Sequence, residues 1–403
     1  MSQNFVSLGE IAQFINGDRG KNYPAKGSFV DEGVAFINAG SLSQEHSIDS
    51  CSLNYITEAK YDSLSSGKVA QGDILFCLRG SIGKFALITE QMTGAIASSL
   101  VIVRPSEKVF TGYLKHYFAS NLCRREIDNF ENGAAQPNLS ATDLKEFRIP
   151  LPPLVEQKRI AAILDKADAI RQKRKQAIDL ADEFLRSVFL DMFGDPVTNP
   201  KGWKVKNIVN LASTEKHSIK RGPFGGALKK EIFVDSGYLV YEQYHALNNN
   251  FDFARYFIDE RKYQELEAFK VNAGDIIISC SGVNLGRLAI VPEGSPAGII
   301  NQALLKVKLD GSKICNEMFV AIFTHPNFKS AFFGEHRGSG VPNFPPMSTF
   351  KEFSFIIPPL DEQKRYLKVV NKVKVLKSRI ELSLSSASEQ FNAISQKAFA
   401  GEL

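Results

Sequence analysis

The chain has 403 residues, 44% of them hydrophobic and 23% charged, with 30 Phe, 11 Tyr and one Trp. That much apolar side chain excludes a disordered, collagen-like or mucin-like protein, and the length points to two or three domains. Lys and Arg number 49 against 44 Asp and Glu, a net charge of +5 that permits a polyanionic partner without requiring one.

In chain order, the first half opens with short β-rich runs, VAFINAG, DILFCL, GKFALITE and SSLVIVRP, punctuated by Gly, Asp and Pro. TGYLKHYFASNLCRREI (111–127) then carries helical spacing. After the prolines of IPLPPL the pattern predicts one long helix. Its seam runs Ile160, Ile163, Ala167, Ile170, Ala177, Ala181, Phe184 and Val188, with Arg174 filling the gap. The second half repeats the order. DIIISC, GRLAIVPE and QALLKVKL read as strands, and NEMFVAIFTHPNFKSAFF (316–333) as a helix limited by Pro326. A second long helix follows, seamed by Val369, Val373, Leu376, Ile380, Ser383, Ala387 and Ile394 and interrupted at Gln390.

The text itself recurs. GDILFCLRGSIGK (72–84) returns as GDIIISCSGVNLGR (274–287), KYDSL (60–64) as KYQEL (262–266), and QPNLSATDLKEFRIPLPPLVEQKRI (136–160) as VPNFPPMSTFKEFSFIIPPLDEQKRY (341–366). Order is kept and the offset drifts only from 202 to 206. The expected architecture is α+β: globular domains over 1–153 and 194–358, each followed by a long helix, over 154–193 and 359–403. A helix of roughly 36 residues is a rod of about 54 Å that needs a partner along its length. The second copy supplies one. If the ends of the second domain lie close together, the two helices run antiparallel and the repeats are related by an approximate two-fold axis.

No catalytic signature stands out. GSIGKF (80–85) is too short for a phosphate-binding loop, and FGEHRGSG (333–340) precedes no convincing helix and reads as a loop. The six His residues do not fall at metal-ligand spacings. Glu156 and Glu362 follow Pro-Pro in a first helical turn, where an acid stabilises exposed amides. Five scattered cysteines, never spaced as CxxC, predict a reducing, cytoplasmic setting with Cys77 and Cys280 as small buried hydrophobes. Neither a signal peptide nor a membrane span is expected.

Basic and polar residues do gather beside glycines at equivalent places. In the first repeat these are Arg19, Lys21, Arg79, Ser81 and Lys84. In the second they are Lys220, Arg221, Lys229, Lys230, Gln243, Tyr244, His245, Ser281, Asn284 and Arg287. Glycine removes bulk and lets a neighbouring Arg approach a phosphate or a guanine edge. The second repeat has Ser281 and Asn284 near the position of Arg79, not an Arg, so if these loops read bases the two domains read different ones. Each of these residues also has a plain alternative as a solvated or loop-shaping side chain.

The string QPNLSATDLKEFRIPLPPLVEQKRIAAILDKAD (136–168), its counterpart PNF…FKEFSFIIPPLDEQKRY (342–366) and FGDPVTNPKGW (193–203) resemble the DNA-specificity subunits of type I restriction–modification enzymes. The resemblance spans essentially the whole chain. It implies a non-catalytic protein whose two target-recognition domains, held apart by antiparallel helices, each read half of a split double-stranded DNA sequence. It implies no cofactor bound by this chain. Two modification subunits would bind S-adenosylmethionine, and restriction subunits would use ATP and Mg2+. PNFPPMSTF (342–350) departs from the first repeat's PNLSATDL. The alternatives are a single-chain methyltransferase or nuclease, whose NPPY-like or PD-(D/E)xK motifs are not found, and a scaffold that does not touch DNA.

Overall fold

A computed structural model describes residues 4–25, 27–131, 138–224, 226–282, 285–334 and 344–403. The loop expected over 333–340 lies outside the described residues from Glu335 onward, as does Asn284. The backbone divides into two compact units, residues 1–176 with 380–403, and residues 177–379.

In the first unit a four-stranded antiparallel sheet has the order Ala12–Asn16, Leu100–Pro105, Ile74–Cys77, Phe85–Leu87. The central strands Ile74–Cys77 and Leu100–Pro105 account for the apolar runs DILFCL and SSLVIVRP, because both of their faces are covered. Beside it, Val34–Ile37 pairs antiparallel with Asn54–Ile56 and parallel with Gly94–Ile96. The short pair Phe5–Ser7 and Arg148–Pro150 joins the two ends of the domain.

The second unit repeats this pairing and adds one short strand, Lys270–Val271, antiparallel to Gly298–Ile300. Its four-stranded sheet has the order Ile219–Arg221, Leu304–Val307, Ile276–Ser279, Leu288–Ile290. Tyr238–Tyr241 pairs antiparallel with Phe257–Ile258 and parallel with Gly298–Ile300, and Lys204–Asn207 pairs with Ser354–Ile357. Even the glycine that opens the parallel strand recurs. A Cβ on Gly94 would stand 3.1 Å from the Ala35 carbonyl oxygen, and one on Gly298 only 2.1 Å from that of Leu239. The strands approach too closely at Gly298 for any side chain, and at Gly94 a side chain would have to push its neighbour aside.

The long helices span Leu154–Phe193 and Leu360–Ala400. Each begins with an acid in its first turn and a joint to its own domain. Glu156 and Glu362 fold back onto Arg159 and Arg365 in i,i+3 ion pairs. The joint is made by the next residue, a buried glutamine. Gln157 Oε1 accepts from the Phe110 amide at 2.8 Å, while Nε2 donates to the carbonyls of Lys108 and Pro152 at 3.1 and 2.8 Å. Gln363 does the same with the Cys315 amide and the carbonyls of Lys313 and Pro358, at 2.9, 3.2 and 2.8 Å. A primary amide supplies the acceptor oxygen and the two N–H donors that this set of partners requires. The first helix ends at Gly194, φ +76°, with the Trp203 indole N–H capping the Phe193 carbonyl at 2.9 Å.

Within each unit the helix segments run antiparallel. Arg174 Nε donates to Ser383 Oγ at 2.7 Å, and Arg159 Nη2 to the Leu403 carbonyl at 2.8 Å. In the other unit Lys377 meets Asp182 at 2.7 Å, and Phe189 lies against Tyr366 with ring centroids 5.8 Å apart. The seam is a heptad seam, but half of it is displaced from the expected register. Ile160, Ala167, Arg174, Ala181 and Val188 lie on it as read, as do Val373, Ile380, Ala387 and Ile394. The alternate positions move one residue toward the C-terminus, to Leu164, Arg171, Ile178 and Leu185, and to Val370, Lys377, Leu384 and Phe391.

Ile163, Ala177 and Val369 therefore flank the seam, half-buried. Ile170, Phe184 and Leu376 are 47, 52 and 53% exposed and do not pair the helices. The reason is physical. Arg171 takes a seam position by laying its guanidinium 4.3 Å over the Phe391 ring while pairing with Asp168 at 2.8 Å. Lys377 takes another on the strength of Asp182. The apolar residues beside these two cations had drawn the expected register off by one.

Both cores draw on the helices. In the first unit Ile160, Leu164, Phe391 and Phe399 pack with Phe76, Tyr113 and Tyr117; in the second, Phe189, Phe193 and Tyr366 pack with Ile278, Phe319 and Phe355.

Candidate nucleic-acid interface

The basic and polar residues singled out from the sequence fall into three groups. One group is exposed in loops. Arg79 and Ser81 occupy the hairpin between Ile74–Cys77 and Phe85–Leu87, whose turns need Gly80 and Gly83 at φ +81° and +82°. Arg287 sits in the matching hairpin of the second repeat, and Lys229 and Lys230 lead into the short 3-10 turn Lys230–Ile232. Arg19 is exposed just before the turn Gly20–Asn22, which contains Lys21. The loop is anchored by Asp18, whose carboxylate accepts from the Ser65 amide and hydroxyl at 2.7 and 2.9 Å. Those bonds hold its carboxyl below the ordinary aspartate value. Tyr244 is 40% exposed, its ring tilted against Phe253 with centroids 4.1 Å apart.

A second group is half-buried and turned onto aromatic rings. Lys220 Nζ lies 5.1 Å over Phe269, and the Arg221 guanidinium 5.1 Å over Phe224, which is itself 64% exposed. Both cations lie on the edge strand Ile219–Arg221.

The third group is used up inside the fold, and here the sequence reading needs correction. His245 is fully buried; Nδ1 accepts from the Glu242 amide at 2.9 Å and Nε2 faces the Phe253 carbonyl at 2.9 Å. It caps the helix Gln243–Asn248 and offers nothing to a ligand. Gln243 Nε2 lies within 2.9 to 3.0 Å of Ser279 Oγ, Ser281 O and Ser281 Oγ, tying the hairpin loop to the end of the parallel strand. Lys84 makes the equivalent tie in the first repeat, donating to the Ala39 carbonyl at 3.2 Å.

The loops are therefore built alike. Leu139 donates its amide to the Leu78 carbonyl at 3.1 Å, and Phe344 to that of Cys280 at 3.1 Å. The next residue in each hairpin is Arg79 or Ser281, one backbone position with two chemistries. Sequence reasoning missed Asn138 at this place. It forms an isolated β-bridge with Arg79, and its Oδ1 accepts from Arg79 Nε at 3.0 Å. The recurring Pro-Asn that precedes each long helix by some twenty residues was the available signal.

Burial raises the Cys77 thiol above its ordinary value and pushes that of Cys280 up to about 12. Among the described residues, no group of three or more His, Cys, Asp or Glu could hold a metal ion, and no helix is long and apolar enough to cross a membrane.

A family model described as the type I restriction modification DNA specificity domain matches twice, over residues 3–180 and 200–383. The chain is 23% identical to the EcoKI specificity subunit of Escherichia coli strain K12 and 22% to the StySPI specificity subunit of Salmonella potsdam, each alignment covering 98% of this chain and 87% of the other. It is 25% identical to the MjaIX specificity subunit of Methanocaldococcus jannaschii over 59% of this chain and 57% of that one. Among solved structures, the type I restriction–modification S subunit of M. genitalium superposes with a TM-score of 0.51 at 14% identity, covering 99% of this chain and 96% of that one. A chain from a study of the assembly and conformational transition of a type I system gives 0.57 at 16% identity, covering 100% and 99%.

Proposed function

This chain belongs to the type I restriction–modification DNA specificity family, and from that premise we propose that each of its two repeats reads one half of a split double-stranded DNA target. It is a specificity subunit that recognises DNA in complex with other restriction–modification subunits and performs no catalysis itself. The observation that carries the split-target reading is the hairpin position shared by Arg79 and Ser281. Two copies of one fold hold different side chains at the same hairpin position, an exposed Arg79 in one and a half-buried Ser281 in the other, as domains that read unlike half-sites would.

The finer division follows the same logic. Residues 1–153 and 194–358 are the recognition domains; 154–193 and 359–403 are the helices that join and space them. The helices also receive two modification subunits, which bind S-adenosylmethionine and methylate the target; restriction subunits supply ATP- and Mg2+-dependent steps. The setting is the cytoplasm. Arg79, Ser81, Arg19, Tyr244, Arg287, Lys229 and Lys230 face DNA, with Lys220 and Arg221 contributing charge beside them. Phosphate contacts position the protein, and base contacts in the hairpins specify the sequence.

Exchanging residues 1–153 for the matching domain of a relative, followed by methylation-site sequencing of the assembled complex, tests this reading. One half of the target should change. A change in both halves, or a single uninterrupted target, overturns it.

A further inference from the structure

We propose that Asn138 is a positioning residue that aims Arg79 end-on at a guanine in the half-site read by the first repeat; this rests on the specificity reading above. Arg79 carries five N–H donors, and Asn138 Oδ1 occupies the one on Nε at 3.0 Å. With Nε taken, the edge formed by Nε and one Nη is blocked. What remains to face outward is the pair of Nη groups at the end of the fork, which matches the O6 and N7 acceptors of guanine in the major groove.

The grip on Arg79 is built from both sides. Its backbone bridges Asn138, its carbonyl lies 3.0 Å from the buried Cys77 thiol, and the adjoining Leu78 carbonyl accepts from Leu139. Gly80 follows at φ +81° with open space where a Cβ would stand, so the hairpin tip adds no bulk beside the guanidinium. A side chain held this way loses less freedom on binding than a free arginine.

A phosphate contact would satisfy the same fork, but the two repeats argue for a base. A contact with the uniform backbone has no reason to differ between them. At the equivalent position the second repeat has Ser281, a neutral side chain that Gln243 holds from within the domain. The position varies in charge while its backbone stays fixed, which is how a base-reading position behaves.

The experiment uses the complex assembled with its modification subunits, its target first defined by methylation-site sequencing. Binding and methylation are measured on that target, on targets in which each guanine of the first half is replaced singly by 7-deazaguanine, and on random duplex. Wild type, Arg79→Ala, Arg79→Lys and Asn138→Ala are compared, with thermal melting of each chain as the folding control. Arg79→Ala should lose about 5- to 150-fold on the target and little on random duplex. Arg79→Lys, which keeps the charge and loses the fork, should not rescue it. Asn138→Ala should lose less and admit a second base at the same single position. One 7-deazaguanine should weaken wild type and leave Arg79→Ala unaffected.

Equal losses on target and random duplex, full rescue by Arg79→Lys, or unchanged base preference in Asn138→Ala overturn the assignment alone. A wild-type complex that prefers no sequence overturns the specificity reading, and this assignment with it.

Discussion

Asp73 and Asp275 stand at the same place in the two repeats, just before the central buried strand, in opposite circumstances. Each closes the same turn, accepting on Oδ2 from the amide of Ala70 or Asn272 at 2.7 and 2.9 Å. The other oxygen of Asp73 takes Arg104 Nε at 2.7 Å, completing a two-point pair with the neighbouring strand. That of Asp275 is buried with no hydrogen-bond partner. Strand register puts Lys308 at the place of Arg104, and Lys308 has turned to Glu215 at 2.5 Å. Burial consequently raises the Asp275 carboxyl above its ordinary value and lowers the ammonium of nearby Lys306. A duplicated backbone has outlived the side-chain pairing that goes with it in one copy.

The largest effect should come from what the repeats kept in common. Gln157→Ala and Gln363→Ala each leave one amide and two carbonyls without a partner, and each should cost about 3–5 kcal/mol by urea unfolding or hydrogen exchange in its own repeat. Very unequal losses would mean that the joint is duplicated in geometry alone. Next comes the divergent position. Arg104→Ala leaves Asp73 buried and unpaired, and should cost about 3 kcal/mol, the low end for a broken buried pair because Arg104 is 38% exposed. Lys308→Ala removes a more solvated pair and should cost under about 1 kcal/mol.

The two acids themselves should respond with opposite sign, at about 1 kcal/mol. Asp73→Asn strips Arg104 of its charge partner and destabilises. Asp275→Asn removes a charge that burial penalises and stabilises at neutral pH. The pH dependence follows. A raised folded value means that the native state holds this proton more tightly than the unfolded chain does. Its contribution is present below the unfolded value and lost as pH climbs through the folded one. Between these values the wild type should lose stability that the Asp275→Asn chain retains; parallel curves for the two would sink the assignment. Smallest of all, Ile170→Ser and Leu376→Ser should change stability by less than about 0.5 kcal/mol, while Leu164→Ala should cost about 2–4 kcal/mol.

That last contrast shows where sequence reading stopped. Strands and repeats were legible because glycines and buried apolar runs recur in order, and both long helices because nothing in them breaks a helix. The seam was half legible. Hydrophobicity alone places Ile170, Phe184 and Leu376 inside, and it has no means of knowing that Arg171 will lie on Phe391 or Lys377 on Asp182. The candidate interface divided on the same ground. Exposed Arg79 and buried His245 look alike as polar residues near turns, and only the partners of each ring or guanidinium nitrogen separate them. Gln157 and Gln363 were in plain view in two copies of PPLxEQ, but their roles depend on amides and carbonyls nearly fifty residues away.

Those two glutamines also limit what duplication can do for the gene. A single nucleotide change in a glutamine codon yields glutamate, which would set a carboxylate oxygen against the paired carbonyls of Lys108 and Pro152, or of Lys313 and Pro358. A second copy normally shelters the first from such accidents. Here each copy holds its own domain to its own helix and cannot stand in for the other, so doubling the sequence has doubled the number of vulnerable sites without providing a spare.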